Sequence, residues 1–482
     1  MIFNRQSAIG NRQSAMNRIV LYNPRAVFFT MPLGLLAVGS ALDRSRFDVR
    51  IVDGRLERHP AARVVAETEG ALCLGMSVLT GRPIRDALAV ARAVKAARPS
   101  LPIVWGGWHP SLFPAECLGD PAIDVAVVGQ GEVTFRDVVE RLADGRGLAG
   151  CAGVAHRARG QVVVEPPRPM REVGDLPPHD YSLIDVRRYF ALKGRRQIDY
   201  VSSQGCRFRC AFCADPFVYG RSWTGLPPAR VAAEIDALVR GHGCEEIAFQ
   251  DETFFTSPRR VEALSDELAA RRVAVGWTAT LRADQACRLG DELLDKAVAA
   301  GLRRVMIGVE SGSQQMLDWM KKDMTIAQVV AAAERAAARG LGAIFNFIVG
   351  FPGEPAGCRA ETLALVKRLA AMSPAFETPI FYYRPYPGSE MADLARRQGY
   401  EFPRGLEEWA GFDYVGGRSP WLSAAEQRRI ERFAFYVRQA RARGAWRWPL
   451  GALSRWRLAR DAYAWPFEKR LVELVRRPQA VS

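Results

Sequence analysis

The chain has 482 residues, 49% hydrophobic and 25% charged. That length exceeds one hydrophobic core and implies several domains. The composition excludes a disordered or collagen-like chain, and nine dispersed cysteines exclude a disulfide framework and suit a reducing cytoplasm.

Net charge is +15, and residues 421–482 hold 14 Lys+Arg against 5 Asp+Glu, so +9 lies there. No apolar run reaches the roughly 18 residues that cross a bilayer. The N-terminus lacks the apolar stretch of a secretory signal. Residues 4–8 (NRQSA) recur as 11–15, just before Met16. Residues 1–16 are therefore expected to be a disordered tail or a misassigned start.

Residues 17–145 alternate short apolar runs with helical patterns. Runs at 19–22, 49–52, 72–76, 103–105 and 125–128 read as buried parallel strands, and 84–97 reads as a helix. This alternation predicts a doubly wound α/β domain, whose ligands lie at the carboxyl ends of its strands. Ser77, Gly106-Gly107-Trp108-His109 and Gly129-Gln130-Gly131-Glu132 stand at those ends.

Residues 146–196 read as a connector, with a hairpin across Arg159-Gly160 followed by a proline-rich stretch. Residues 197–390 again alternate strand and helix through six units, with strands expected at 198–202, 246–250, 275–280, 304–308, 342–349 and 380–383. Six such units suit a partial barrel with its chemistry at the strands' carboxyl ends. Residues 391–482 read as a basic, Trp-rich helical region with Trp409, Trp421, Trp446, Trp448, Trp456 and Trp465.

The most specific motif follows the first barrel strand. Cys206, Cys210 and Cys213 are spaced by three and then two residues, with Phe212 before the last. Three thiolates on one tight loop suit three irons of a 4Fe-4S cubane cluster. A structural zinc site would close its sphere with a fourth ligand, and no fourth Cys or His lies nearby. Three unrelated buried thiols are the plainer alternative; the tight spacing and the flanking aromatic argue against it.

The trio resembles the signature of the radical S-adenosylmethionine (SAM) enzymes. With the preceding α/β domain, residues 17–390 resemble the cobalamin-binding branch, which includes methyltransferases and an anaerobic porphyrin cyclase. The pieces that carry this are the trio and the segments 32–35 (PLGL), 74–77 (LGMS), 106–109 (GGWH) and 127–132 (VVGQGE).

The resemblance implies an N-terminal Rossmann-like cobalamin-binding domain, a partial (β/α)6 radical SAM barrel and a helical C-terminal region. It implies that the cluster and SAM yield a 5′-deoxyadenosyl radical, with cobalamin as methyl carrier for C-methylation of an unactivated carbon. A small-molecule substrate and a one-electron donor of flavodoxin or ferredoxin type are implied partners. Expected SAM contacts are Phe212, Asp251, Glu252, Arg282, Gly308, Glu310 and Asn346. Expected cobalamin contacts are Ser77, Gly106, Gly107, His109, Gly129 and Glu132. One departure stands out: Arg55, two residues after Asp53, occupies the position at which classical cobalamin domains carry a cobalt-ligating His.

Two alternatives stay open at this level. One is cyclisation, oxidation or rearrangement without methyl transfer. The other is a basic nucleic-acid or membrane-surface binding protein with a structural cluster; the Trp-bearing tail leaves peripheral membrane contact open and makes nucleic acid the weaker partner.

Overall fold

The computed structural model describes residues 16–412, 417–441 and 448–475. The repeated N-terminal segment, Trp446 and the side chain of Trp448 lie outside the described residues.

The first sheet has seven strands: β1 (Asn17–Asn23), β2 (Phe47–Asp53), β3 (Ala71–Ser77), β4 (Ile103–Gly106), β5 (Val125–Val127), β6 (Val154–Ala158) and β7 (Gln161–Val164). Their order is β2-β1-β3-β4-β5-β6-β7. The first five are parallel, and β6 and β7 add antiparallel to β5. The hairpin that the sequence placed in a connector thus extends this sheet. Ile19, Val20, Leu21 and Tyr22 are all fully buried because helices cover both faces. One of these helices, Arg82–Ala97, turns Ile84, Ala87, Leu88, Ala91 and Val94 inward at helical spacing. The chain reverses direction across the sheet between β1 and β3, which places a crevice at their carboxyl ends.

The second sheet begins with β8 (Gln197–Tyr200). A small antiparallel ribbon follows, β9 (Ser203–Gly205) with β10 (Trp223–Gly225). Next come β11 (Glu246–Phe249), β12 (Gly276–Thr280), β13 (Leu302–Glu310), β14 (Gly342–Val349), β15 (Phe376–Glu377) and β16 (Ile380–Tyr382). Strands β8 and β11 to β14 run parallel in chain order, with β15 and β16 both beside β14. The sixth barrel position is therefore filled by two short pieces, broken at Thr378-Pro379, where proline cannot donate to the ladder.

The C-terminal region does not form one separate unit. Leu406, Trp409, Ala410 and Phe412 pack into the core beside the first sheet. Phe433, Phe435, Tyr436 and Val437, from the helix Ala424–Ala440, join the barrel core. All nine cysteines are free thiols. Among the described residues, no helix is long and apolar enough to cross a membrane.

Candidate active site

The cysteine loop leaves the barrel through the β9–β10 ribbon. Gly205 has φ of +90°, and a Cβ there would meet the Ser222 carbonyl at 2.3 Å, so only glycine fits. The loop is then held from three sides. The Ala211 N–H donates to the Met320 carbonyl at 2.8 Å, and the Ala211 carbonyl accepts from the Met391 N–H at 2.9 Å. Arg209 grips Asp323 with two bonds of 2.8 and 2.9 Å. The buried Arg282 sets one guanidinium nitrogen 3.7 Å from the Cys210 sulfur.

Among the described residues, no group of three His, Cys, Asp or Glu side chains closes around a single ion. A cubane needs no such group, because its three thiolates bind three different irons and stand farther apart. The donor set fits. Burial pushes the Cys206 thiol up to about 11 and the Cys213 thiol well above its usual range. A positive metal centre is what would hold such buried sulfurs as thiolates.

Beside Cys213 opens a cavity of about 500 Å³. Phe212, Asp215, Glu310, Asn346 and Ile348 line it, as do Trp108, Tyr382, Tyr383, Arg384 and Tyr386. Glu310 ends β13 at a bulge with φ of +68°, which turns its carboxylate to the mouth. Lys322 pairs with it at 2.7 Å, both side chains being buried, and also lies 5.6 Å from the Phe212 ring.

Four expected SAM contacts do other work. Arg282, expected at a SAM carboxylate, is spent on Asp284 at 2.9 Å, on Cys210 and on the Lys322 carbonyl, with Phe208 stacked at 3.7 Å. Asp251 is buried beneath the mouth and accepts from the Ser202 N–H at 2.8 Å and from the Ser202 and Ser203 hydroxyls. Glu252 accepts from the Gly205 N–H at 3.1 Å and the Tyr219 hydroxyl at 2.9 Å; burial, and then Asp215, push its carboxyl up to about 7. Gly308 leaves room for Glu310, since a Cβ there would sit 2.3 Å from its Oε1. These residues shape the loop and the mouth but do not line the cavity, whereas Phe212, Glu310 and Asn346 do.

A second cavity, of about 220 Å³, occupies the crevice of the first sheet. Ser77, Gly106, Gly107, Gly129 and Glu132 line it, as does His179. Its walls are mainly apolar, with Leu21, Leu35, Val104, Val127 and Phe135 beside the glycines, and Ser77, Gln130, Glu132 and Gln204 add polar groups. No atom stands within 4 Å of where a Cβ would lie on Gly129, while at Gly107 the backbone has φ of +93° and a Cβ would press on Ser77 and Val78. Glu132 is buried, and burial raises its carboxyl. Gln204, after β8, accepts from the Gln130 amide at 2.9 Å and donates to Glu132 at 3.3 Å, joining the two sheets' loops here.

His109, expected at the cobalamin, lies apart from the other expected contacts. It lines neither cavity and is fully buried against Phe113 and Trp409, with Nδ1 3.2 Å from the Thr80 hydroxyl. Burial lowers its imidazole to about 4, so it is neutral. Arg55 likewise turns away, pairing with buried Asp53 at 2.6 Å, which also accepts from Tyr189 at 2.7 Å. Trp108 lines both cavities, so they are neighbours across one indole. Trp108 was named only as part of the strand-end motif 106–109 and given no role, and Lys322, Asp215 and Gln204 were not singled out from the sequence; of these three, Asp215 alone had a local signal, two residues past the last cluster cysteine.

The B12 binding domain model matches residues 21–139, and the Radical SAM superfamily model matches residues 200–366. An uncharacterized methyltransferase of Pyrococcus horikoshii is 32% identical over 372 residues, covering 76% of this chain and 78% of that protein. The chain belongs to the cobalamin-binding radical SAM family. Solved structures share its fold. The cobalamin-dependent SAM radical enzyme OxsB, with aqua-cobalamin and SAM bound, aligns with a TM-score of 0.73 at 18% identity, covering 91% of this chain and 70% of its own. The radical SAM methyltransferase TsrM from Kitasatospora setae, with cobalamin and a [4Fe-4S] cluster, aligns at 0.66 and 20% identity, covering 80% and 75%. This radical SAM enzyme thus carries the family's order of domains, α/β domain first and barrel second.

Proposed function

We propose that this radical SAM enzyme is a cobalamin-dependent methyltransferase acting on an unactivated carbon of a small molecule. The adjacency of the two cavities at Trp108 carries this reading, because a methyl carrier must face the carbon that receives the methyl group. Bound together, cluster and SAM supply one-electron cleavage of a carbon–sulfur bond, and cobalamin supplies methyl transfer.

The chain's own residues hold and orient these groups. Cys206, Cys210 and Cys213 hold the cluster, and Arg282 steadies their loop from behind. Phe212, Glu310 and Asn346 face SAM, with Lys322 fixing the Glu310 carboxylate. Ser77, Gly106, Gly107, Gly129 and Glu132 hold the nucleotide tail of the corrinoid. An external one-electron donor of flavodoxin or ferredoxin type is needed, and the free thiols suit a reducing cytoplasm.

The test is anaerobic reconstitution with iron, sulfide and hydroxocobalamin. Corrinoid and cluster in about equal amounts per chain, and label passing from methyl-labelled SAM to product, are the expected results. A cluster without corrinoid would move the reading to radical chemistry without methyl transfer.

A surface feature favours membrane contact beside this activity. Trp456, Trp465, Phe467 and Leu471 are exposed on the last described helices and the turn between them, with Arg460 5.1 Å from the Trp456 ring. Aromatics beside cations suit an anionic lipid interface. Flotation with phosphatidylglycerol vesicles, lost in a Trp465→Ser/Phe467→Ser variant, is expected; no flotation by the parent chain would remove this role.

A further inference from the structure

The cavity at the barrel mouth has a wall that the cofactor contacts above leave unused. It is built from Phe381, Tyr382, Tyr383, Arg384 and Tyr386, after β14 and along β16, with Leu79 from the first domain. This wall is aromatic, and it carries two polar groups whose bonding is incomplete.

Tyr383 is 2% exposed, and its hydroxyl makes no hydrogen bond of good geometry, the Ser389 hydroxyl being a loose neighbour. The Ser389 hydroxyl donates to the Tyr386 carbonyl at 2.7 Å and accepts from the Ala392 N–H at 3.2 Å, capping a helix, so only its second lone pair is left for Tyr383. A buried hydroxyl without a well-formed bond is unfavourable, because it has given up water and gained little in return. The fold keeps it in a cavity wall rather than replacing it with phenylalanine.

Arg384 is half-buried. It stacks on Phe412 at 4.8 Å and donates once to the Arg418 carbonyl at 3.1 Å. Its Nε is buried with no acceptor. No carboxylate among the described residues lies within ion-pair distance of it. Glu401 and Glu408 share an adjoining cavity with it, yet Glu408 accepts from the Arg404 N–H at 2.9 Å. An arginine at an aromatic wall, with a buried Nε left open and no paired carboxylate among the described residues, is a receptor for an anion, because its planar fork binds carboxylate or phosphate oxygens in pairs.

We propose that Arg384 and the Tyr383 hydroxyl form a substrate subsite for an anionic group, carboxylate or phosphate, carried on a flat apolar body that lies against Tyr382, Tyr386 and Trp108. The proposal rests on the reading of the barrel mouth as the place of reaction, and it names the class of molecule accepted there.

Calorimetry on the reconstituted holoenzyme with SAM tests it, using 1-naphthoate and 1-naphthyl phosphate against the neutral 1-naphthylmethanol. At least one anion is expected to bind tenfold or more tighter than the alcohol, and which of the two does so separates carboxylate from phosphate substrates. Arg384→Gln is expected to erase that preference and Arg384→Lys to keep part of it. Tyr383→Phe is expected to lower anion affinity severalfold without touching the Arg418 contact. SAM affinity is expected to stay within twofold throughout. Equal binding of anions and alcohol by the parent enzyme would overturn the subsite. So would a tenfold loss of SAM affinity in Arg384→Gln, which would assign the arginine to the SAM carboxylate. Anion binding retained by a protein that takes up no corrinoid would sink the methyl-transfer reading alone.

Discussion

At the scale of single residues, Glu310 combines two costs. It holds a left-handed backbone at φ of +68° without being glycine, and it buries a carboxylate against the ammonium of Lys322. Such strain persists where the surroundings over-determine it, and often at functional sites. Removing one partner of a buried pair leaves the other uncompensated, at about 3–5 kcal/mol. Glu310→Gln is therefore expected to lower the melting temperature strongly, and adding Lys322→Met to recover part of the loss; a double variant no better than the single one would show the pair is not coupled. His109 offers a pH test. Burial lowers its folded pKa from 6.5 to about 4, so as pH falls through that range the unfolded chain takes a proton that the folded chain refuses. Stability contributed above pH 6.5 is thus lost between 6.5 and 4, by up to about 3 kcal/mol. His109→Gln is expected to flatten that part of the melting-temperature profile, whatever its baseline.

At the scale of elements, the cluster loop is shaped by the ribbon that flanks it, β9 before and β10 after. Gly205 lets β9 approach β10 closely enough to turn the chain into the loop, with no space for a Cβ. Gly205→Ala is expected to cost about 1–3 kcal/mol locally and to reduce iron per chain after reconstitution, with far-ultraviolet circular dichroism unchanged. Full iron loading in that variant would mean the loop is set by its later anchors, Ala211 and Arg209. The ribbon was not legible in the sequence, because two three-residue strands carry no period. The first five barrel strands were legible as short runs bounded by polar turns, whereas at the sixth position the expected strand 380–383 matches β16 and the two-residue β15 was not expected.

At the scale of the whole molecule, the two sheets meet through a few side chains. Gln204 reaches from the barrel to Gln130 and Glu132 at the crevice. Asp199 of β8 accepts from the Met31 N–H at 2.7 Å. These contacts hold the crevice of one sheet against the mouth of the other. Gln204→Ala is expected to weaken hydroxocobalamin binding about tenfold, in line with about 1.4 kcal/mol from lost bonds, while iron content stays unchanged. Equal losses of both cofactors would point to general unfolding instead.

By itself the sequence determined the alternation of strands and helices, the glycine-rich turns at strand ends and the cysteine trio. Each is a local pattern, readable within a dozen residues, and local backbone geometry enforces it. Only the tertiary structure decided which charged groups face the reaction. Asp251, Arg282 and His109 had suitable chemistry at suitable strand ends, yet long-range partners drew them into supporting roles. Lys322, Tyr383 and Arg384 had no local signal and reach the mouth through the pairing of distant strands and turns. The C-terminal region shows the same division: its helices were readable, but only packing assigned Trp409 to the first domain's core and Tyr436 to the barrel's. A side chain's neighbours are set by contacts far apart in the chain, and these have no signature in any single stretch of sequence.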